Sequence, residues 1–442
     1  MTKKFYLECQ SCGIIISNFE SWFENKQQCP QCKSKQAYVI YTDGYEGLKD
    51  LIRKSHHPYS LWHYLPFLPV NDPKNIVSFN EGIVDIDRWD FLEKFAKDYF
   101  NVDCIIYAHR CDQNPATGTF KDMAGTVVAS VLRENKKTAY VAASTGNIGN
   151  AYAKYLCAAG INLYGFIPSN SSAEQEAGIT AYGQKVHRVS GDYAMAKKLA
   201  AEFAQEHNLI LAAGNFDPMR IEAKKTMVYE WLRVLPEFPT VYMQALSGGT
   251  GPLGIKKAFN ELSGVFNLGK LPKQIMVQSG KCDPMTQAWN QAKENNFADG
   301  WETNYPIIEN PDTYVPTLAT GNPQTYPVIA PFVKETEGEI ISSQEDHLPM
   351  IAAWIAMETS ILIGPAATVT ISGFMNSLRD KLINTGDIIL LNIGEGINRS
   401  PQFLNDLSSD ALMVQSISEC GLFDINQERG KIIEDIHKIM IN

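Results

Sequence analysis

Residues 114–122 have the sequence Asn114-Pro115-Ala116-Thr117-Gly118-Thr119-Phe120-Lys121-Asp122, a turn-forming run that ends in a single lysine and an aspartate. A proline and a glycine interrupt any regular element, and an apolar, helix-compatible segment follows at 123–132. The pattern predicts that Lys121 lies where a loop becomes a helix. A lysine held there beside an apolar side chain such as Phe120 can lose its proton near neutral pH, as an amine that forms a Schiff base must. Taken alone, the stretch is better explained by a solvated lysine in a first helical turn.

Two further glycine-rich turns follow predicted strands. They are Ser144-Thr145-Gly146-Asn147-Ile148-Gly149-Asn150 and, after the apolar run 241–246, Ser247-Gly248-Gly249-Thr250-Gly251-Pro252. A strand, a glycine turn and a helix N-terminus together form an anion site, because backbone N–H groups converge there. Neither turn matches a dinucleotide or P-loop motif, and each alone is also explained as a plain strand–helix connection. Together with Lys121 they indicate a phosphorylated aldehyde cofactor, with the lysine on the aldehyde and one turn on the phosphate.

The composition is typical of a soluble globular protein of two or three domains. The chain has 442 residues, of which 45% are hydrophobic and 20% charged, and its net charge is −10. Such a charge argues against nucleic acid or an anionic membrane as a partner. The longest uncharged run lies between Thr359 and Arg379, and its Gly364-Pro365 and small polar residues favour a buried strand and helix over a membrane span. With no secretory signal pattern, we expect a cytoplasmic location.

Four of the nine cysteines stand in metal-binding spacing near the N-terminus. Cys9 and Cys12 form one Cys-x-x-Cys pair, and Cys29 and Cys32 form a second. Zn²⁺ prefers four thiolates in a tetrahedron, and each pair presents two sulfur atoms from one tight turn. The pattern predicts a structural zinc ribbon with no coordination position left for catalysis; the alternative is four free thiols. This cysteine usage also favours a reducing compartment.

Predicted strands and helices alternate through the middle of the chain. Strands at 104–108, 138–142, 161–167 and 185–189 are separated by predicted helices, and a late strand at 387–392 runs into Gly394-Glu395-Gly396. This alternation predicts parallel βαβ units and a doubly wound α/β fold. The last forty residues, with short apolar runs, indicate an ordered appendage.

The run that ends in Lys121 resembles the lysine motif of fold type II pyridoxal-phosphate (PLP) enzymes and is most similar to the threonine synthase group. Ser144-Thr145-Gly146-Asn147 resembles the asparagine loop of that family, and Gly248-Gly249-Thr250-Gly251 resembles its cofactor-phosphate cradle. Further similar motifs, which extend the resemblance over about residues 76–400 plus the ribbon, are Asn215–Thr226, Thr320-Gly321-Asn322-Pro323 and Gly364-Pro365-Ala366-Ala367.

The resemblance implies an architecture similar to the tryptophan synthase β subunit, with two doubly wound parallel-sheet domains. It places a zinc ribbon at 1–45, a large PLP-binding domain at 46–125 and 229–400, a small α/β domain at 126–228 and a C-terminal appendage at 401–442. It also implies a homodimer that takes a small amino-acid substrate.

The resemblance further implies a role for each matching residue. Lys121 would hold PLP as a Schiff base and later act as acid and base, and Asn147 would contact the 3′ oxygen of the cofactor. The phosphate would be bound by Gly248, Gly249, Thr250 and Gly251. The substrate carboxylate would be bound by Ser144, Thr145 and Gly146. The expected reaction is elimination or replacement on an O-phosphorylated or otherwise O-activated amino acid.

Three departures from the threonine synthase pattern keep alternatives open. Met123 stands where arginine is usual, and Ile393 stands near the position of a threonine or serine that contacts the pyridine nitrogen, although a one-residue shift would bring in Asn392. The segments Leu390–Ile393 and Leu61–Pro66 look closer to cysteate synthase, which favours β-replacement on O-phosphoserine. A non-catalytic PLP-binding or sensing protein is the second alternative.

Overall fold

The computed structural model describes residues 3–144, 146–169, 171–191, 193–407, 416–417 and 421–441. The strands within these residues are β1 (Phe5–Cys9), β2 (Ile15–Ile16), β3 (Ala37–Tyr41), β4 (Ile86–Arg88), β5 (Ile105–His109), β6 (Ala139–Ala143), β7 (Asn162–Pro168), β8 (Lys185–Val189), β9 (Ile210–Leu211), β10 (Val241–Ala245), β11 (Lys273–Ser279), β12 (Glu339–Ser343) and β13 (Ile388–Asn392).

The helices in the same residues are α1 (Phe19–Glu24), α2 (Leu48–Leu51), α3 (Asp90–Phe100), α4 (Lys121–Glu134), α5 (Asn147–Ala159), α6 (Ala173–Thr180), α7 (Tyr193–Glu206), α8 (Pro218–Val234), α9 (Thr250–Ser263), α10 (Pro284–Glu294), α11 (Tyr326–Glu335), α12 (Leu348–Thr359), α13 (Pro365–Arg379), α14 (Pro401–Leu407) and α15 (Ile425–Ile441). Short 3-10 segments are Leu61–Phe67, Pro73–Asn75, Cys111–Gln113, Gly214–Phe216, Trp301–Thr303, Pro316–Leu318 and Ile397–Arg399.

The strands form three sheets. The N-terminal sheet is antiparallel with the order β2-β1-β3, a second has the order β12-β11-β10-β13-β5-β4, and a third has the order β8-β7-β6-β9. All pairs in the third sheet are parallel, and the second is parallel except for its edge strand β4. The predicted α/β class with parallel sheets is therefore confirmed, with one antiparallel edge that the alternation of elements did not reveal.

The six-stranded sheet is buried on both faces. Along β13, Ile389 and Leu391 belong to one apolar cluster and Leu390 belongs to another. Because successive side chains of a strand point to opposite faces, the two clusters lie on opposite sides of the sheet. Helix α13 packs on the first side through residues such as Phe374, and α8 packs on the second through residues such as Met227. The carboxyl ends of β10, β13 and β5 thus open toward one edge of a rigid layer.

Among the described residues, no helix combines the length and the apolar character needed to cross a lipid bilayer.

Candidate active site

The loop before Lys121 is folded around the carboxylate of Asp122. This buried carboxylate accepts hydrogen bonds from the backbone N–H groups of Ala116 and Thr117, both at 2.8 Å, and from the Thr117 hydroxyl at 2.6 Å. The Phe120 N–H donates to the Gly394 carbonyl at 3.0 Å, which ties the loop to the segment after β13. Helix α4 then begins at Lys121, where the predicted loop-to-helix transition is found.

The amine of Lys121 lies in apolar surroundings. Its Nζ is 4.2 Å from the centroid of the Phe120 ring, and the Nζ of the buried Lys224 lies 3.8 Å from the same centroid. The pKa of Lys121 is lowered from 10.5 to about 7, chiefly by burial; the Arg220 guanidinium adds to the decrease and the Glu395 carboxylate opposes it. A lysine in this state exists partly as a neutral amine near pH 7, which is the nucleophilic form.

The first glycine turn joins β6 to α5. Its Ser144 hydroxyl accepts hydrogen bonds from the N–H groups of Gly146 and Gly149, both at 3.1 Å, so this side chain stabilises the turn itself. Helix α5 begins at Asn147, whose Nδ2 donates to Glu395 Oε2 at 2.6 Å. Thr145, the third residue predicted to bind the substrate carboxylate, lies outside the described residues.

The second glycine turn leads into α9. Gly249 has a φ of 83°, and α9 begins at Thr250, whose hydroxyl donates to Asn215 Oδ1 at 3.0 Å. A Cβ atom on Gly248 would lie 1.9 Å from Asn215 Nδ2, so no larger residue fits here without displacing Asn215. The turn brings backbone close to the cavity at a helix N-terminus, where N–H groups and the helix dipole favour an anion.

A cavity of 430 Å³ brings the predicted residues together. Every described residue predicted to bind cofactor or substrate lines it: Lys121, Ser144, Gly146, Asn147, Gly248, Gly249, Thr250 and Gly251. Residues 114–122 and the two glycine turns, which are far apart in sequence, therefore face one enclosed space. A cavity of this size is in the range of sites for small molecules and cofactors.

The cavity also contains polar residues for which the sequence analysis assigned no role. Arg220 is 7% exposed; its Nη1 donates to the Gly214 carbonyl at 2.7 Å, while its Nε has no hydrogen-bond partner within the described residues. Glu395 is 2% exposed and accepts from Asn147 and from the Ala366 N–H. Arg220 lies in the resembling segment Asn215–Thr226 and Glu395 follows the predicted late strand, but only the fold shows that their side chains reach the cavity.

The positions that depart from the threonine synthase pattern occupy different places. Met123 and Ile393 are buried in apolar clusters and are not among the residues that line the cavity. Asn392, in contrast, lines the cavity, and its Nδ2 lies 3.7 Å from Cys111 Sγ. Of the two neighbouring residues at the end of β13, the structure therefore presents Asn392 to the cavity.

The four predicted metal ligands form one cluster. The Sγ atoms of Cys9, Cys12, Cys29 and Cys32 all lie within 4.8 Å of one another. Four sulfur atoms around Zn²⁺ are separated by about 3.8 Å when each Zn–S bond is about 2.3 Å, so the cluster can hold a tetrahedral metal with small adjustments. Lys35, three residues after Cys32, lines the mouth of the cavity.

The sequence of the chain matches the family model of pyridoxal-phosphate dependent enzymes over residues 92–394. The chain belongs to this family. It is 25% identical to the threonine synthase of Methanocaldococcus jannaschii over 367 residues, which covers 81% of this chain and 86% of that protein. It is 24% identical to the threonine synthase of Methanosarcina acetivorans over 419 residues, covering 93% of this chain and 96% of that protein.

Solved structures of PLP enzymes share the fold. The processed form of threonine deaminase isoform 2 from Solanum lycopersicum covers 80% of this chain with a TM-score of 0.59 at 16% identity, and 95% of that chain is covered. A mutant of O-ureido-L-serine synthase with bound O-ureido-L-serine covers 75% of this chain with a TM-score of 0.58 at 15% identity, and 94% of that chain is covered. The predicted fold type and the prediction of a threonine synthase-like, PLP-dependent enzyme are confirmed.

The residues of the cavity fit the cofactor of the family. A lysine with a lowered pKa can take the aldehyde, and the glycine turn at the N-terminus of α9, which also lines the cavity, can take the phosphate. The amide of Asn147 offers a hydrogen-bond donor in the same cavity.

Proposed function

We propose that this PLP-dependent enzyme removes a phosphate, or a similar leaving group, from the side chain of an O-activated amino acid and adds a nucleophile. The observation that carries the proposal is the meeting of Lys121, Asn147 and the turn before α9 in one cavity. The two threonine synthases to which the chain is similar support a reaction of this class.

Each part of the cavity has a task toward the cofactor. PLP supplies the electron sink that stabilises negative charge on the substrate carbons. Lys121 would hold the aldehyde carbon, Asn147 the 3′ oxygen, and the N–H groups of Gly248–Gly251 the phosphate. Released from the cofactor, the Lys121 amine would carry protons to and from the substrate, a task for which a pKa near neutral is suited.

Two parts of the cavity would bind the substrate itself. The turn of Ser144, Thr145 and Gly146 at the start of α5 is proposed to bind the carboxylate, with the Ser144 hydroxyl maintaining the shape of the turn. A second anionic group would meet the Arg220 guanidinium, which is buried and forms no ion pair within the described residues. A buried guanidinium without an anionic partner is costly, and a phosphate on the substrate would compensate it.

Water on O-phosphohomoserine, which gives threonine, is the reaction proposed first. β-Replacement on O-phosphoserine is the second candidate, and the resemblance of Leu390–Ile393 and Leu61–Pro66 to cysteate synthase favours it. Asn392 presents a neutral amide to the cavity while Ile393 is buried. An amide is a neutral hydrogen-bond partner, as the usual threonine or serine is, so the substrate test rather than this position separates the two candidates.

The test is a substrate matrix with the purified holoenzyme. O-phosphohomoserine, O-phosphoserine and O-acetylserine are each paired with water, sulfide and sulfite, and phosphate or acetate release is measured. We expect release from a phosphorylated substrate, and the best nucleophile separates the two candidates. Absence of any product from all nine pairs would favour the non-catalytic, cofactor-binding alternative.

Replacement of the lysine tests the cofactor attachment. Wild-type protein with PLP should absorb near the visible edge of the ultraviolet, and Lys121→Ala should abolish that band and the turnover. Lys224→Ala is the matched control, since its amine also lies against Phe120 but is not among the cavity-lining residues. A normal band and normal turnover in Lys121→Ala would contradict the assignment.

We also propose a bound structural metal, a homodimer and a cytoplasmic location. The cysteine cluster would hold structural Zn²⁺, measurable as one metal per chain by elemental analysis. A homodimer, expected from the resemblance, would appear in sedimentation as twice the chain mass. A cytoplasmic location follows from the cysteine usage and is tested by cell fractionation.

A further inference from the structure

Glu395 is a carboxylate inside the cavity with a hydrogen-bond donor on each oxygen. Oε1 accepts from the Ala366 N–H at 2.8 Å, and Oε2 accepts from Asn147 Nδ2 at 2.6 Å. The side chain is 2% exposed, and its backbone carbonyl accepts from the Gly364 N–H at 3.1 Å. Both ends of this residue are therefore fixed against the start of α13.

The Glu395 carboxylate lies against the N-terminus of α13. Ala366 is in the first turn of α13, a helix of 15 residues that begins with Pro365. Since proline has no N–H group, the Ala366 N–H is the first donor that this helix end offers. The positive end of the helix dipole and two accepted hydrogen bonds both stabilise a carboxylate over a carboxylic acid.

An ionised carboxylate accepts hydrogen bonds and cannot donate them. A side-chain amide can turn its oxygen or its nitrogen toward a neighbour, and only the nitrogen is compatible with a carboxylate. Glu395 therefore selects one of the two orientations of the Asn147 amide. An amide nitrogen carries two protons and can donate to two acceptors.

The contact also joins two layers of the molecule. Asn147 is the first residue of α5, which follows β6 of the four-stranded sheet, whereas Glu395 follows β13 of the six-stranded sheet. The two residues are 248 positions apart in the chain. A hydrogen bond across this separation fixes the asparagine relative to the sheet edge from which the cavity opens.

We propose that Glu395 is a positioning residue of the cofactor site, which holds the nitrogen end of the Asn147 amide in place for the 3′ oxygen of PLP. This inference rests on the proposed function, in which Asn147 contacts that oxygen. Glu395 acts through Asn147 and through the start of α13, and its charge makes the amide orientation unique.

The experiment compares Glu395→Gln, Glu395→Asp and Asn147→Ala, and combines the first with the last. Glutamine keeps the size of the side chain but can donate as well as accept, so both amide orientations become possible. The absorbance and circular dichroism bands of bound PLP report the state of the 3′ oxygen, and equilibrium dialysis of the apoenzyme gives the dissociation constant of PLP.

We expect Glu395→Gln to change the ratio of the cofactor bands and to weaken PLP binding about tenfold, the equivalent of one hydrogen bond. Glu395→Asp, which remains an acceptor only, should keep the wild-type band ratio even where affinity falls. In an Asn147→Ala background, Glu395→Gln should cause no further spectral change.

Two results would overturn the proposal. One is a Glu395→Gln protein with the band ratio and PLP affinity of the wild type. The other is an equal spectral change with and without Asn147, which would mean that Glu395 serves α13 alone. Failure of the proposed function is separate, because it would already appear as a wild-type protein that does not take PLP on Lys121.

Discussion

The charge on Lys121 is set by its burial and by two charged neighbours. Burial and the Arg220 guanidinium both lower its pKa, and the Glu395 carboxylate opposes them, with a result of about 7. Near pH 7 the amine is therefore about half protonated, whereas an ordinary lysine, with a pKa near 10.4, would be almost fully charged at that pH. The reactivity of this residue comes from its surroundings rather than from its identity.

A pH titration of Lys121 reactivity follows from this pKa. In the apoenzyme, acylation of Lys121 by a small anhydride should rise with pH, reach half of its maximum near pH 7 and level off above pH 8, because only the neutral amine reacts. Mass spectrometry of the peptide that contains Lys121 measures the rate. The same peptide in denatured protein is the control, and a rate that keeps rising tenfold per pH unit above pH 8 would contradict the lowered pKa.

Substitution of Arg220 tests the proposal that its guanidinium contacts the phosphate of the substrate. We expect Arg220→Gln to raise KM for a phosphorylated substrate about tenfold or more, the effect of losing one hydrogen bond to a charged group. O-acetylserine, which lacks the phosphate, should show a much smaller change in the same variant. Equal changes for the two substrates would assign Arg220 to the cofactor or to the fold instead.

At the scale of elements, a buried ionic cluster joins the N-terminal sheet to helices α8 and α9. Lys225 Nζ contacts Glu222 at 2.5 Å and Glu261 at 2.9 Å, and Lys257 contacts Glu261 at 2.5 Å. The same Lys257 donates to the Val39 carbonyl of β3 at 2.8 Å. Burial lowers the pKa of Lys257, but attraction by Glu222 and Glu261 outweighs burial and raises it above its ordinary value.

Removal of one carboxylate from this cluster should strongly destabilise the folded protein. We expect Glu261→Ala to reduce the free energy of unfolding by about 3–5 kcal/mol, because two buried ammonium groups are left with one partner. Glu337→Ala removes an exposed partner of Lys270 and serves as the matched control, with no measurable change expected. Urea denaturation measures both, and equal midpoints for the two variants would contradict the role of the cluster.

The strands were more predictable than the helices. The predicted bounds of β8 are those observed, and those of β13 differ by one residue, since apolar or β-branched runs bounded by turns define both. Helix α8 was not predicted, because charged residues interrupt its apolar pattern; Glu222 and Lys225 are nevertheless buried, each with partners from elsewhere. Likewise no local pattern could place Glu395 against Asn147, which is 248 residues away.

At the scale of the whole molecule, the N-terminal segment that carries the four cysteines and helix α8 contribute to one apolar core. Leu7 of β1 and Trp22 of α1, which lie in the same N-terminal segment as the four cysteines, belong to the same apolar cluster as Met227 and Tyr229 of α8. The prediction of four ligands came from spacing alone, whereas the continuity of this core depends on contacts over most of the chain. The domain boundaries drawn from the resemblance remain predictions.

Removal of the proposed Zn²⁺ should therefore affect more than the N-terminal segment that carries the cysteines. We expect chelation, or Cys12→Ser, to release the metal and to lower the melting temperature of the whole protein, because the thiolates lose the ion that draws them together. Cys157→Ser is the control, since this exposed cysteine is outside the cluster. Elemental analysis measures the loss of metal, and thermal denaturation measures the melting temperature. An unchanged melting temperature after complete metal loss would contradict the prediction that the N-terminal segment stabilises the shared core.

Lys35 has a consequence for how the protein can be dissected. Because this exposed residue lines the cavity, the first 45 residues supply part of the cavity wall as well as the cysteine cluster. A truncated enzyme that begins after these residues would lack the Lys35 charge, and its cavity would have a wider opening for an incoming anion. Slow turnover by such a truncation would therefore reflect a damaged entrance, and would give no evidence that the metal itself takes part in the chemistry.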